Sequence, residues 1–133
     1  MPAVFEQHYV KRLDGPNVKK GKSKKDLAEQ VIADIRKFKQ DNHCDRLVMV
    51  WCGSTEIYMK ETAVHQTMES LEKGLEQSDP AIPPSMIYAY AAIKEGIPYA
   101  NGAPNLSADV PALMALALET QSPMAGEGRE YYD

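Results

Sequence analysis

Groups that staple or metallate small folds are scarce in this sequence. Only two cysteines, Cys44 and Cys52, occur among 133 residues, with no CxxC pair. That excludes a disulfide scaffold, fits a reducing compartment and leaves no structural zinc spacing. His8, His43 and His65 are scattered, with no HxxxH or Cys/His arrangement, and read as surface or internally satisfied side chains. The longest apolar run is Leu47, Val48, Met49, Val50, Trp51 and Cys52, far short of the roughly 20 residues that span a bilayer. No basic-then-apolar leader opens the chain. Also missing are GxGxxG after a strand, GxxxxGK[ST], GxSxG and HExxH, so no complete nucleotide enzyme is spelled out. Basic charge is outnumbered: 15 Lys and Arg against 19 Asp and Glu give a net charge of −4 and a pI near 5.4. Nucleic acid and anionic membranes are therefore not expected partners. A soluble, cytoplasmic protein is expected.

What remains is ordinary globular material, 44% apolar and 26% charged, at the length of one domain. The charge is uneven. Lys11, Arg12, Lys19, Lys20, Lys22, Lys24 and Lys25 supply seven of the fifteen basic residues. The run KKGKSKK at 19–25 could attract phosphate, but lysine at a helix start opposes the dipole, and a solvated surface is the favoured reading.

The first 22 residues, with Pro2, Gly15, Pro16 and Gly21, read as extended or loop chain. Ser23 with Asp26 three residues on starts a helix over 24–41, its apolar face marked by Leu27, Val31, Ile35 and Phe38. The continuous run 47–52 predicts a strand buried on both faces, as in parallel sheets covered by helices. Val64, Met68, Leu71 and Leu75 mark a second helix. A third, over 86–95, is capped by Ser85 and stopped by Gly96 and Pro98. An extended stretch at 97–101 then leads through Gly102 and Pro104 to a last helix over 110–119, with Pro111 in its first turn. Met49, Met68, Met86 and Met114 fall on apolar faces and are expected in the core, and Cys52 reads as a small apolar filler. From Gly126 the pattern stops, and 127–133 read as a loop or a non-native tail.

In an open parallel sheet, ligands bind beyond the carboxyl ends of the strands, where loops meet helix N-termini. Two loops qualify. One is Cys52, Gly53, Ser54 and Thr55, combining a glycine with two hydroxyls. The other is Asn101, Gly102, Ala103, Pro104 and Asn105, with amides flanking a tight turn. Each taken alone also fits an ordinary turn.

Together with their surroundings these loops resemble one family. VMVWCGSTEIY at 48–58 resembles the strand and NTE-type loop of the myo-inositol-1-phosphate synthases. IPPSMIYAYAAIKEGIPYANGAPNLSADVPAL at 82–113 resembles that family's stretch from a Ser-capped helix through EG-[VI]-P to N-G-[SA]-P-[QN]. KSKKDLAEQVIADIRKFKQDNHCDRL at 22–47 resembles the helix before the strand, so the match is collinear over about residues 1–126.

The resemblance implies an α/β fold, part of a Rossmann-like parallel sheet covered by helices and incomplete at both ends relative to the family. It implies a middle segment of an NAD-dependent isomerase that converts glucose 6-phosphate into myo-inositol phosphate, working as a homo-oligomer. The cofactor loop maps onto Cys52, Gly53, Ser54 and Thr55, and the N-G-[SA] turn places Gly102 and Ala103 near NAD. Asn101 and Asn105 fall close to the substrate. Backbone N–H groups and hydroxyls suit phosphate and carboxamide, and asparagines suit sugar hydroxyls. The family's glycine-rich loop lies upstream and its catalytic lysines downstream, in a K-x-G-Q-T-type motif where this chain reads GEGREYYD, so no catalytic residue is assigned and no turnover by the chain alone is expected. The alternatives are a non-catalytic dinucleotide-binding or interaction module derived from that family, and an unrelated small α/β protein sharing only loop chemistry.

Overall fold

A computed structural model describes residues 1–4, 15–53 and 56–126. Its elements run α1 (Lys24–Asp41), β1 (Met49–Trp51), a 3-10 turn (Ala63–His65), α2 (Met68–Glu76), α3 (Pro84–Lys94), β2 (Tyr99–Asn101), α4 (Pro111–Thr120) and β3 (Met124–Ala125). The three strands form a parallel sheet in the order β1-β2-β3. The α/β class and the expected helices are present. The two-residue β3 and the 3-10 turn were not anticipated.

Local chemistry sets the helix limits. Ser23 Oγ accepts from the Asp26 N–H at 3.1 Å, satisfying one of the free donors of the first turn of α1. All four helices end alike, with one residue in the left-handed region: His43 (φ 51°), Ser78 (55°), Gly96 (72°) and Gln121 (56°). After α3, Gly96 N–H reaches Ile93 O (3.0 Å) and Ile97 N–H reaches Ala92 O (2.9 Å), the paired bonds of a Schellman ending. Glycine suits that conformation because it has no Cβ, so only this stop was visible in the sequence.

Helix α3 is apolar around its whole circumference, and only Tyr88 and Lys94 escape burial. It packs between α1 and α4 and against β2, with Ile87, Ala91 and Ile93 fully buried. His65 is buried too, and both ring nitrogens are engaged: Nδ1 accepts from Thr62 N–H (3.0 Å) and Nε2 donates to Ala81 O (2.7 Å). It is the internally satisfied histidine that the sequence suggested.

Four expectations need correction. First, the strand run is not covered on both sides. Met49, Trp51 and Met124 pack on the core with Tyr99, whereas Val48 and Val50 are 66% and 58% exposed. Ala125 is exposed on the Val50 side, in register with Ala100. A continuous apolar run shows that a strand can take two layers, and the described residues supply one. Second, Met114 is 52% exposed, beside Leu118, on the outer side of α4. Third, Cys52 is exposed, because the strand pairing ends before it. Fourth, the lysine run is only partly solvated. Lys24 is 5% exposed and donates to the carbonyls of Asp79 (2.6 Å) and Ile82 (2.7 Å). Lys19 pairs with Asp34 at 2.5 Å, and Lys25 donates to the Tyr90 hydroxyl at 2.8 Å.

Candidate functional site

The carboxyl ends of the three strands lie side by side because the register pairs Trp51 with Asn101 and Ala100 with Ala125. The chain leaves each end through a glycine. Gly102 N–H donates to Trp51 O at 2.9 Å, and a Cβ on Gly102 would sit 3.0 Å from that oxygen and 3.6 Å from Cys52 Sγ. A Cβ on Gly53 would come within 2.7 Å of the Trp51 ring. At Gly126, φ is 143° and a Cβ would lie 2.6 Å from Asn101 Cβ. At all three strand ends, therefore, glycine is required by close packing of the chain against Trp51 or Asn101, and the small residue leaves the backbone there open to close approach.

Cys52, Gly53, Gly102, Ala103, Asn101 and Asn105 are therefore gathered at one end of the sheet. Ser54 and Thr55 lie outside the described residues. The N–H groups of Gly102 and Ala103, which the sequence suggested as ligand donors, are engaged internally: the first with Trp51 O, the second with Asn101 Oδ1 at 3.0 Å. What this turn offers outward is bare backbone surface.

Behind it lies a buried polar network that composition did not reveal. Glu56 is 4% exposed. Its Oε1 accepts from Ser85 N–H (2.9 Å), and its Oε2 accepts from Ser85 Oγ–H (2.5 Å) and Asn105 Nδ2 (2.8 Å). Ser85 does not cap α3 as expected. Pro83 occupies the cap position and Pro84 opens the helix, so the Glu56 carboxylate takes the cap's place and faces the positive end of the helix dipole. Asn105, 1% exposed, uses both ends of its amide: Nδ2 on Glu56 and Ser85 Oγ (3.1 Å), Oδ1 on Asn101 Nδ2 (3.0 Å). The signal for Glu56 was a carboxylate just after a strand-end loop, with a helix N-terminus lacking a side-chain cap.

Tyr99 flanks this network, its hydroxyl 3.5 Å from Ser85 O. Burial pushes the phenol's pKa up, with help from the Glu56 and Asp109 charges and against a contact with Ser107, so Tyr99 stays neutral. A small cavity of about 180 Å³ opens beside Asn101, Ser107, Asp109 and Gly126, below the about 300–1,000 Å³ of a complete small-molecule site. A larger groove of about 420 Å³ runs elsewhere, between α1 and the edge of β1, lined by Ile35, Phe38, Val48 and Val50. Its carboxylate, Asp34, is held by Lys19, so it lacks convergent polar groups. Among the described residues there is no cluster able to hold a metal ion, and no helix is long and apolar enough to cross a membrane.

A family model described as myo-inositol-1-phosphate synthase, an NAD-binding family, matches residues 1–129. The chain belongs to the myo-inositol-1-phosphate synthase family. Inositol-3-phosphate synthase 1 of Bacteroides thetaiotaomicron is 41% identical over 128 residues, 96% of this chain and 30% of that protein. Inositol-3-phosphate synthase of Mesembryanthemum crystallinum is 38% identical over 131 residues, again 96% of this chain but 25% of the relative. The crystal structure of inositol-3-phosphate synthase from Caenorhabditis elegans superposes with a TM-score of 0.85 at 28% identity, covering 98% of this chain and 26% of that one. The chain thus spans between a quarter and a third of the length of the relatives it matches. It has the sequence and fold of a segment of the synthase, and in this family NAD is the cofactor. The strand ends fit such a ligand in carrying small residues, since Gly53, Gly102 and Gly126 let the backbone close against Trp51 and Asn101 where a Cβ would collide.

Proposed function

We propose that this chain forms one wall of the NAD and sugar-phosphate site of an enzyme that converts glucose 6-phosphate into myo-inositol phosphate. The observation that carries this reading is the line of three glycines at neighbouring strand ends, each where a side chain would collide with the sheet. NAD, when bound, supplies the acceptor that takes a hydride from the sugar and gives it back. This chain's residues hold and orient. Gly53, Gly102 and Ala103 give a flat backbone surface for the planar parts of the dinucleotide, with Cys52 beside them, and Ser54 and Thr55 are the further cofactor-loop candidates of the sequence. Asn101 and Asn105 face the sugar side, where Asn105 supports Asn101 from behind, because both ends of its own amide are engaged.

The chain by itself is catalytically silent in this reading. Lys19, Lys24 and Lys25 are tied to Asp34, to the carbonyls of Asp79 and Ile82, and to Tyr90, so none of these three charges is at the strand ends to stabilise an enolate. The working enzyme is a cytoplasmic homo-oligomer. The experiment is a titration of NAD into isotope-labelled chain, followed by amide shifts, with a parallel assay for inositol phosphate from glucose 6-phosphate. Shifts centred on residues 52–53, 101–103 and 126, without turnover, are expected. Shifts confined to the groove beside Val50 and Phe38, or turnover by the chain alone, would overturn the assignment.

A further inference from the structure

We propose that Glu56 is a positioning residue that sets the direction of the Asn105 side-chain amide and thereby strengthens the hold of Asn101 on the 102–103 turn that meets the nucleotide. This rests on the reading of the strand ends as a nucleotide site, and concerns how that surface is kept in place.

The oxygen and nitrogen of an asparagine amide are nearly identical in shape, so packing does not decide which way the group points; its partners do. Here two amides stand in series between end groups of fixed character. At one end the Glu56 carboxylate accepts, and Asn105 must present Nδ2 to it (2.8 Å). That leaves Asn105 Oδ1 facing Asn101, which must present Nδ2 (3.0 Å). Asn101 Oδ1 is then left for the Ala103 N–H (3.0 Å), which can only donate. The polarity agrees through three successive bonds: reversing Asn105 would set acceptor against acceptor at Glu56 and donor against donor at Asn101, while Asn101 Nδ2 has a second acceptor in Asn105 O (3.1 Å). Asn105 and Glu56 are sealed from water at 1% and 4% exposure, so solvent cannot mend a reversed link. A further bond, from Ser85 N–H to Glu56 Oε1 (2.9 Å), fixes the carboxylate to α3. The carboxylate of the first strand-end loop therefore fixes Asn105 and, through its Oδ1, one of the two acceptors that hold Asn101 in the second.

The test exchanges polarity at constant volume, in the 133-residue chain. In Glu56→Gln the Ser85 N–H keeps the remaining oxygen, which turns the new NH2 onto Asn105 Nδ2. Asn105→Asp alone sets two carboxylates together. In the double variant the introduced amide donates to the introduced carboxylate, whose other oxygen still accepts from Asn101, so the original direction returns. Hydrogen exchange at the Ala103 amide should quicken about tenfold in each single variant, as for loss of one net hydrogen bond, and recover in the double. A double variant no better protected than the singles, folded or not, overturns the proposal, because all three proteins conserve side-chain volume. So does an unchanged Ala103 amide in Glu56→Gln. Titrating NAD into the same proteins separates this inference from the reading beneath it. Wild-type chain that binds no NAD refutes the nucleotide site while the rescue at Ala103 still stands. Affinity that ignores Ala103 protection refutes the role of Glu56 in the site.

Discussion

Replacing Lys24 by methionine isolates the contribution of one buried ammonium. The substitution keeps most of the aliphatic stem, which is packed at 5% exposure, and removes the donor that reaches Asp79 O at 2.6 Å and Ile82 O at 2.7 Å. The two carbonyls fare differently. Asp79 O keeps a second donor, the Ile82 N–H at 3.1 Å. Ile82 is fully buried, so water has little access to its carbonyl. Leaving a buried acceptor unsatisfied costs about 1–3 kcal/mol, and a bond from a charged donor contributes about 1.5–3 kcal/mol net. Relief of the ammonium's desolvation offsets part of this. The expected loss is about 2–3 kcal/mol, read as a lower midpoint at unchanged slope in urea unfolding. The same substitution at exposed Lys22 serves as the control and should lie within about 0.5 kcal/mol of wild type. The Lys24 effect should also persist in high salt, since buried charges are little screened. A Lys24→Met midpoint matching that of the control would refute the reasoning and show that the Lys24 ammonium adds nothing to stability.

Other outcomes follow from the same structure. Gln121→Gly should raise stability by about 0.5–1 kcal/mol in thermal unfolding, because φ at 121 is 56° and a side chain is costly there. Val50→Thr should cost less than about 1 kcal/mol, against several for Ile87→Ala, since Val50 stands on the uncovered face and Ile87 is fully buried; equal losses in urea would mean that both faces are packed. Gly126→Ala should weaken the end of β3 and abolish NAD-induced shifts at Asn101, given φ of 143° and a Cβ approach of 2.6 Å; intact shifts would remove Gly126 from the site. In alkali, the Lys25, Tyr90 and Glu72 cluster should lose stability. Burial raises the Tyr90 pKa, and the Tyr90 and Glu72 contacts raise that of Lys25 against the opposing effect of burial. Both groups hold protons more tightly when folded, so their stabilisation is full below about pH 10 and is lost as pH rises through the raised values. Tyr90→Phe should flatten the fall above about pH 10 in unfolding titrations, while Tyr99, also raised, keeps part of it.

The sequence was most informative where one residue and its near neighbours decide the outcome. Ser23 with Asp26 marked the start of α1, Gly96 the end of α3 and Pro111 the opening of α4, and each stands there. The strand-end loops were found by the same local logic. It failed where partners are distant in sequence. Glu56 lies 29 residues from Ser85 and 49 from Asn105, so a carboxylate standing in for a helix cap could not be inferred from Ser85's own neighbourhood. Lys24 looked solvated because its carbonyl partners lie 55 and 58 residues away. The bare side of β1 was hidden for a related reason. Val48 and Val50 are apolar by composition, and composition does not say which layer reaches them. The left-handed stops at His43, Ser78 and Gln121 lacked the glycine that would have announced them.

The half-covered sheet also separates two kinds of selection along one short strand. Successive side chains point to opposite sides, so Met49 and Trp51 answer to the helices already in place, while Val48 and Val50 answer to whatever lies against the other side. Substitutions in the second pair can be tried without disturbing the first, of which Trp51 also lies against Gly53 at the strand's tip. Such a strand can acquire or exchange an outer neighbour while its inner packing and the surface at its tip remain as they were.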